Sequence, residues 1–280
     1  MVSSCVSESQ LLAVAAELPA APRLAVELGQ AIRNPHINAR EITALLRQDP
    51  ALVARLIRIA NSAVYGRAEP AGSIEEALAC IGFQEMHRLV GAVAAAQLAQ
   101  QHLRQYGIDG ETLRANSLFV AVTMEELAEA TGEEPRSAYT VGLLRSIGKM
   151  ALDRISGEAA GSARYDPSIQ PEVDAWEKER WGLDNCRAAE LILKHWRLPH
   201  ETVISVQHHY RPAGRHNPII HLLSLAAGAA HDRLHGLPGE AAYWKSPRDS
   251  FARAGINERG FQLACERAQR NFQRLHTAAA

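Results

Sequence analysis

The sequence predicts an all-α fold, and three observations support this. Aromatic residues make up only 5% of the 280 residues while alanine and leucine are prominent, which suits packed helices better than strands. Apolar residues recur at helical spacing along most of the chain. No run of four or more residues alternates convincingly between apolar and polar side chains, as a half-buried strand would.

Helix boundaries are marked by capping residues. Two pairs have the N-cap and N3 spacing of a capping box, and two others place a capping side chain before a proline at the first helical position. A glycine that follows a helix-like run predicts a helix end. The predicted starts are Asn38 with Glu41, Ser73 with Glu76, Asp49-Pro50 and Asn217-Pro218, and the predicted ends are Gly132, Gly182 and Gly236.

Between these marks, amphipathic stripes predict the helices themselves. The first carries Arg47, Arg55 and Arg58 on its polar face. Later stripes cover 84–103, 112–131, 138–155, 185–196, 200–209 and 218–234. The segment from Ile155 to Gln170 is poor in large apolar residues and is predicted to be a surface loop.

The C-terminal part is predicted to be a linker followed by one helix. The stretch after Gly236 contains proline and glycine, which favours a linker up to Pro247. The stripe of Phe261, Cys265, Ala268, Phe272 and Leu275 then predicts an amphipathic helix that docks on the parent domain. Arg267, Arg270 and Arg274 are expected on its solvent side.

Composition excludes several classes of protein. Thirty Lys and Arg against 31 Asp and Glu give a net charge of -1, so no global basic field attracts nucleic acid. The four cysteines form no CxxC pair, which argues against a zinc knuckle or a disulfide framework. No apolar run reaches the roughly 20 residues of a membrane span, so a cytoplasmic protein is expected.

Several segments resemble the HDOD family. They are LPAAPRLAVELGQAIRNP (18–35), EITALLRQDPALVARLIRIANSAVYG (41–66), SIEEALACIGFQEMHRLV (73–90), YTVGLLRSIGKMAL (139–152), ERWGLDNCRAAELILKHWRLP (179–199) and VISVQHHYRP (203–212). The resemblance implies an HDOD-type bundle of two packed helical lobes across 18–213. It divides into an N-terminal lobe at 18–110 and a degenerate HD-like lobe at 111–213, with a lead-in at 1–17 and a helical extension at 214–280.

The resemblance also implies that a metal site has been lost. The related HD fold binds metal through a histidine, a His-Asp pair and a later aspartate, and hydrolyses phosphate esters. Arg145 and Ser146 occupy the pair, and a guanidinium offers a metal no lone pair. Asn116 and Asn185 stand at histidine positions of the pattern. The late aspartate falls at Ala227 or Gly228, and Asp232 is a poor substitute one turn later.

The residues left at this place form a candidate relic ligand pocket: Asn116, Arg145, Asp184, His208 and His209. For the two histidines, structural roles are favoured over a residual metal site. Asp184 is expected to be a helix N-cap. Arg145 is expected in a structural salt bridge, with phosphate or nucleotide binding as the alternative. His231 and His235 have zinc-binding spacing but no HExxH glutamate, so a helix C-cap is favoured. No cofactor, metal ligand or catalytic residue is predicted.

Three functions remain open. The favoured one is a non-catalytic bacterial signalling module that binds other signalling proteins, with homo-oligomers left open. The alternative is a divergent metal-dependent phosphohydrolase that uses the C-terminal histidines together with Asp184, Asp232 or Glu190. Nucleic-acid binding through Arg47, Arg55 and Arg58 is disfavoured, because three arginines on one helix face are usually only solvated.

Overall fold

The structure is a computed structural model that describes residues 5–18, 20–62, 65, 70–98, 100–156, 164–244 and 248–279. The helices are α1 (Glu8–Glu17), α2 (Ala20–Ile32), α3 (Ala39–Leu46), α4 (Pro50–Ala60), α5 (Ile74–Leu98), α6 (Gly110–Thr131), α7 (Pro135–Leu144), α8 (Ile147–Ser156), α9 (Val173–Trp181), α10 (Asn185–His195), α11 (His200–His208), α12 (Pro218–Asp232), α13 (Arg248–Ala254) and α14 (Glu258–Ala279), with a 3₁₀ helix at Ala241–Trp244. The described residues contain no strand beyond one isolated bridge between Leu103 and Ile108. The all-α prediction is therefore confirmed.

The predicted capping residues start their helices as expected. Asn38 accepts from the backbone N–H of Glu41, Asp49 from that of Leu52, and Asn217 from that of Ile219. The Ser73 hydroxyl accepts from the Glu76 backbone N–H at the start of α5. Each bond satisfies an amide that the first helical turn would leave unpaired.

Two of the three glycines predicted to end helices do so. Gly132 and Gly182 both have φ 78°, the left-handed conformation that glycine adopts without a Cβ penalty. Gly236 does not, and the prediction there is wrong because α12 already ends at Asp232. Leu234 takes the left-handed position instead, with φ 64°.

A Schellman motif explains this earlier end of α12. The backbone N–H of His235 bonds to Ala230 O at 2.8 Å, and that of Leu234 bonds to His231 O at 3.1 Å. The imidazole of His235 packs against the rings of Phe119 and Phe272, with centroids 5.1 and 4.7 Å away. Its side chain is therefore an apolar anchor and not the helix cap that was predicted.

Helix α6 is the centre of the fold. Leu118, Phe119 and Val122 are fully buried on it, and it packs against α5, α7, α12 and α14. One contiguous hydrophobic core runs from Leu11 in α1 to Leu275 in α14. The division into two lobes stays a prediction. No helix among the described residues is both long and apolar enough to cross a membrane.

The C-terminal helix α14 docks on α5 and α6 through the predicted stripe. The stripe residues Phe261, Cys265, Ala268, Phe272 and Leu275 are all buried. Two of the arginines expected to face only solvent form ion pairs instead: Arg267 with Glu126 at 2.9 Å and Arg274 with Glu85 at 2.6 Å. The helix is thus held by charge at both of these contacts as well as by its apolar face.

Two predicted irregular segments are more ordered than expected. Helix α8 continues to Ser156, residues 157–163 lie outside the described residues, and the Tyr165 hydroxyl donates to Gln170 O. The predicted linker after Gly236 is packed, because Leu237 and Glu240 are buried and a 3₁₀ helix follows them. This second correction matters for the site, since Glu240 is part of it.

Candidate functional site

The Arg145 side chain lies in the protein interior where α7 ends. It is 2% exposed, and Nη1 donates to Glu240 Oε2 at 2.8 Å. Its second terminal nitrogen, Nη2, donates to Asn116 Oδ1 at 2.5 Å. The structural salt bridge expected for Arg145 is therefore present, and its partner lies 95 residues further along the chain.

Asn116 is held on α6 by two opposed bonds. Its carbonyl oxygen accepts from Arg145, and its Nδ2 donates to His235 O at 2.6 Å. The backbone carbonyl of His235 is presented by the Schellman turn after α12. The amide is thus oriented by its neighbours, and its oxygen faces a guanidinium instead of an open ligand position.

A second basic group, Lys149 on α8, extends the network. Its Nζ donates to the Tyr210 hydroxyl at 2.8 Å, and that hydroxyl donates to Glu240 Oε1 at 2.7 Å. Lys149 Nζ also lies 3.4 Å from Glu240 Oε1 and 3.6 Å from Glu177 Oε1. Glu240 therefore compensates Arg145 with one oxygen and Lys149 with the other.

Glu177 on α9 closes the network from the opposite side. It accepts from the backbone N–H of Asn185 at 2.7 Å, from Asn185 Nδ2, and from the Tyr106 hydroxyl at 2.8 Å. The side-chain amide NH₂ of Asn185 thus donates to a carboxylate. This is the second of the two asparagines that the resemblance assigned to histidine positions of the family pattern.

The network contains two basic and two acidic side chains, so its formal charge is zero. Arg145, Lys149, Glu177 and Glu240 are all at most 2% exposed, where an uncompensated charge would be very costly. Burial opposes ionisation of Glu240, but Arg145 and Lys149 lower its pKa to about 2. Burial raises the pKa of Glu177, against the effect of Lys149 and the Asn185 bonds.

His209 is buried beside this network. Its Nδ1 donates to Val206 O at 2.8 Å, which leaves Nε2 as an acceptor with no partner among the described residues. Burial first, and then the charge of Arg145, lowers the pKa of His209 to about 3. The ring is therefore neutral, as expected for a core histidine.

The other predicted members of the relic pocket lie apart. Asp184 caps α10 by accepting from the backbone N–H of Arg187 at 2.8 Å, and it pairs with Lys178 at 3.0 Å. His208 is only partly buried at the end of α11. The structure therefore brings Asn116 and Arg145 together with His209 close by, while Asp184 and His208 serve elsewhere.

These donors do not fit a divalent metal ion. The guanidinium of Arg145 is cationic and has no lone pair, and the side-chain amides of Asn116 and Asn185 already bind protein groups. Ala227 offers no ligand, and Gly228 faces Trp244. Across the described ranges, no group of three or more His, Cys, Asp or Glu side chains could hold a metal.

Sequence reasoning missed four members of this network: Lys149, Glu177, Tyr210 and Glu240. Lys149 and Tyr210 stand inside the motifs that carried the family resemblance, so a signal for them was present. Nothing local marks Glu240, because it lies in a stretch without periodicity. Its role appears only when the fold brings it to Arg145.

Known proteins share this fold and sequence pattern. A model of the HDOD domain matches residues 18–212. An uncharacterized protein of Treponema pallidum (strain Nichols) is 26% identical over 272 residues, which are 94% of this chain and 51% of that protein. The chain thus spans about half the length of this curated relative.

Two solved structures match nearly end to end. One is a candidate phosphohydrolase from Shewanella amazonensis SB2B, with 26% identity, TM-score 0.64, and 97% and 98% of the two chains covered. The other is an HDOD domain protein of unknown function from Geobacter sulfurreducens, with 20% identity, TM-score 0.68, and 98% of each chain covered. Because the family model spans well over half of the sequence and carries the motifs described above, the chain belongs to the HDOD domain family.

Proposed function

We propose that this chain is a non-catalytic bacterial signalling module that acts by binding other proteins. The observation that carries the proposal is the buried ion pair of Arg145 with Glu240, joined by Lys149, where the HD fold would hold its metal ligands. Metal-dependent hydrolysis of phosphate esters needs a cation that activates water and stabilises charge on phosphate oxygens. A neutral, internally bonded network provides no place for that cation.

Arg145 is poorly placed to bind an anionic ligand. Both terminal nitrogens of the guanidinium already donate to protein groups, and Glu240 is a carboxylate that would repel a phosphate. The structure also gives little support to nucleic-acid binding, because Arg47 is paired with Glu75 at 2.8 Å and the net charge is -1.

The test of the non-catalytic part is metal content together with activity. The chain, purified without chelators, is analysed by mass spectrometry for iron, manganese and zinc, and assayed on bis(p-nitrophenyl) phosphate with each metal added. We expect less than about a tenth of a metal per chain and no turnover above buffer. Near-stoichiometric metal with turnover would overturn the proposal.

The binding part needs a partner that forms a defined complex. Affinity capture with the tagged chain is followed by reconstitution from purified components, and calorimetry gives the stoichiometry. A protein that binds with a fixed ratio supports the proposal. A purified chain that turns over a phosphoester and retains no protein in defined ratio contradicts it.

The second candidate is a divergent phosphohydrolase, favoured by the 26% identity to the Shewanella amazonensis candidate phosphohydrolase and by the unpaired Nε2 of His209. Two of the carboxylates that it would need already bind other groups. Asp184 caps a helix, and Glu190 pairs with Arg187 and Lys194. The wild-type chain, His209→Gln and the exposed-site control His36→Gln are compared for metal content. Metal that is retained by the wild type and the control but lost in His209→Gln would favour this candidate.

A further inference from the structure

A cavity of about 420 Å³ opens between α12, the 3₁₀ helix and α13. Its volume lies in the range of small-molecule sites. One face of α12 lines it through residues spaced three and four apart, including Ser224, Gly228 and Asp232. Gly228 lies on the face of α12 that borders the cavity and carries no side chain. A Cβ added there would lie 3.5 Å from Trp244 Cβ, so a larger side chain would extend into the cavity.

Aromatic rings form most of the opposite wall. Tyr210 and Tyr243 stack with their centroids 4.2 Å apart, and Trp244 lies 5.8 Å from Tyr210. Phe251 and Phe261 form a second, edge-to-face pair at 5.2 Å. Tyr210 and Tyr243 stack on each other and already have Lys149 and Arg211 over their rings. The rings of Trp244, Phe251 and Phe261 remain to bind a cation through the negative potential of their faces.

Among the described residues, two carboxylates lie at the mouth of the cavity. Asp232 and Asp249 both line the cavity and are solvent-exposed, and neither forms an ion pair within the described residues. Asp232 also stands in the last turn of α12, where the helix dipole is negative. Two carboxylates and a helix C-terminus thus face the same opening.

The basic groups in the wall are compensated. Arg211 donates to Asp174 and Glu172, and its guanidinium lies 5.1 Å above the Tyr243 ring. His221 donates through Nε2 to Arg215 O, so its Nδ1 accepts from the Ser250 hydroxyl at 3.3 Å. Burial first, and also the charge of Arg253, lowers the pKa of His221, which favours the neutral imidazole.

One polar group in the wall lacks a partner. The Ser224 side chain is 8% exposed and lines the cavity, and its hydroxyl makes no hydrogen bond within the part of the chain that the structure describes. The hydroxyl is open to the cavity, so it can bond a polar group of a ligand there.

We propose that this cavity binds a small organic cation with an alkylated ammonium group, packed against Trp244, Phe251 and Phe261 and paired with Asp232 and Asp249. Ser224 then bonds to a hydroxyl or other polar substituent of the ligand. The site shares Tyr210 with the charge network, and the proposal does not depend on the function proposed above.

Isothermal titration calorimetry of the full chain tests the ligand class. The cationic probes are choline, benzyltrimethylammonium and spermidine, 3,3-dimethyl-1-butanol is the neutral isostere of choline, and AMP is the anionic probe. We expect one-to-one binding of at least one alkylated ammonium ion, with the isostere at least about tenfold weaker than choline. Equal binding of choline and its isostere, preference for AMP, or no binding of any cation would each overturn the proposal.

Variants locate the site. Asp232→Asn with Asp249→Asn is expected to weaken binding at least about fivefold, whereas Asp109→Asn, with the same charge change at the N-cap of α6, leaves it unchanged. Gly228→Leu fills the cavity and should abolish binding. A thermal melt within a few degrees of wild type shows that this variant is folded. If both the double variant Asp232→Asn/Asp249→Asn and Gly228→Leu bind the cation as wild type does, the cation binds elsewhere and the proposed site is refuted.

Discussion

The Tyr210 side chain lies between two regions that differ in whether their charged side chains are paired. Its hydroxyl lies in the buried network, between Lys149 and Glu240, and its ring lines the cavity. In the network every formal charge is compensated by a neighbour, although Arg145 Nε, Ser146 Oγ and His209 Nε2 have no hydrogen-bond partner within the described residues. Around the cavity, Asp232 and Asp249 have no ion-pair partner within the described residues. The two regions therefore differ in whether their charged side chains are paired with one another.

The largest expected difference is between carboxylates of the two regions. Glu240→Ala leaves Arg145 buried without its counter-charge, so we expect the free energy of unfolding to fall by about 3–5 kcal/mol. Asp232→Ala removes an exposed carboxylate at the cavity mouth and should change it by less than about 0.5 kcal/mol. Urea denaturation followed by circular dichroism measures both. Similar values for the two variants would remove the distinction between the regions.

Restoring the family's His-Asp pair should damage the network instead of creating an enzyme. Arg145→His with Ser146→Asp leaves Glu240 without its guanidinium and adds a second carboxylate at a position that is 3% exposed. We expect a loss of stability of about 3 kcal/mol or more. Asn116 and Asn185 remain, so no turnover of bis(p-nitrophenyl) phosphate with manganese is expected. Measurable turnover would show that the assignment of ligand positions is wrong.

Gly148 tests how tightly the network region is packed. A Cβ on Gly148, beneath the network, would lie 1.9 Å from the backbone oxygen of Asn185. That backbone cannot move without disturbing the bonds of Asn185 to Glu177, so Gly148→Ala should cost roughly 1–3 kcal/mol by overpacking. Chemical denaturation gives the value. A neutral substitution would mean that α8 and α10 can separate freely.

His209 should make stability depend on pH. Its pKa in the folded chain is about 3, below the ordinary value of 6.5, so the unfolded chain binds a proton between these values that the folded chain does not. The free energy of unfolding therefore falls as pH drops through this window, by up to about 1.4 kcal/mol per pH unit. His209→Gln removes this contribution, and exposed His36→Gln does not. Parallel pH profiles for wild type and His209→Gln would contradict the assignment.

The sequence predicted local structure better than the site. Capping residues such as Asn38 and Asp49 act within three residues, so their effect can be read directly from spacing. The family motifs also pointed to Arg145 and Asn116 as neighbours. Glu240 could not be found this way, because a long-range ion pair leaves no periodic pattern. The same reason explains why Arg267 and Arg274 were expected in solvent, since their partners lie on other helices.

The smallest effect concerns the cavity side of α12. Gly228 is helical, and an added Cβ would meet only ordinary contact with Trp244, at 3.5 Å. Alanine loses less backbone entropy on folding than glycine, so Gly228→Ala should raise the free energy of unfolding by about 0.5–1 kcal/mol. The sign is opposite to that expected for Gly148→Ala, although the change in sequence is the same. Denaturation of both variants in one buffer tests this directly. A loss of stability at both glycines would mean that the cavity wall is packed as tightly as the network, and the contrast between the two regions would then rest on charge alone.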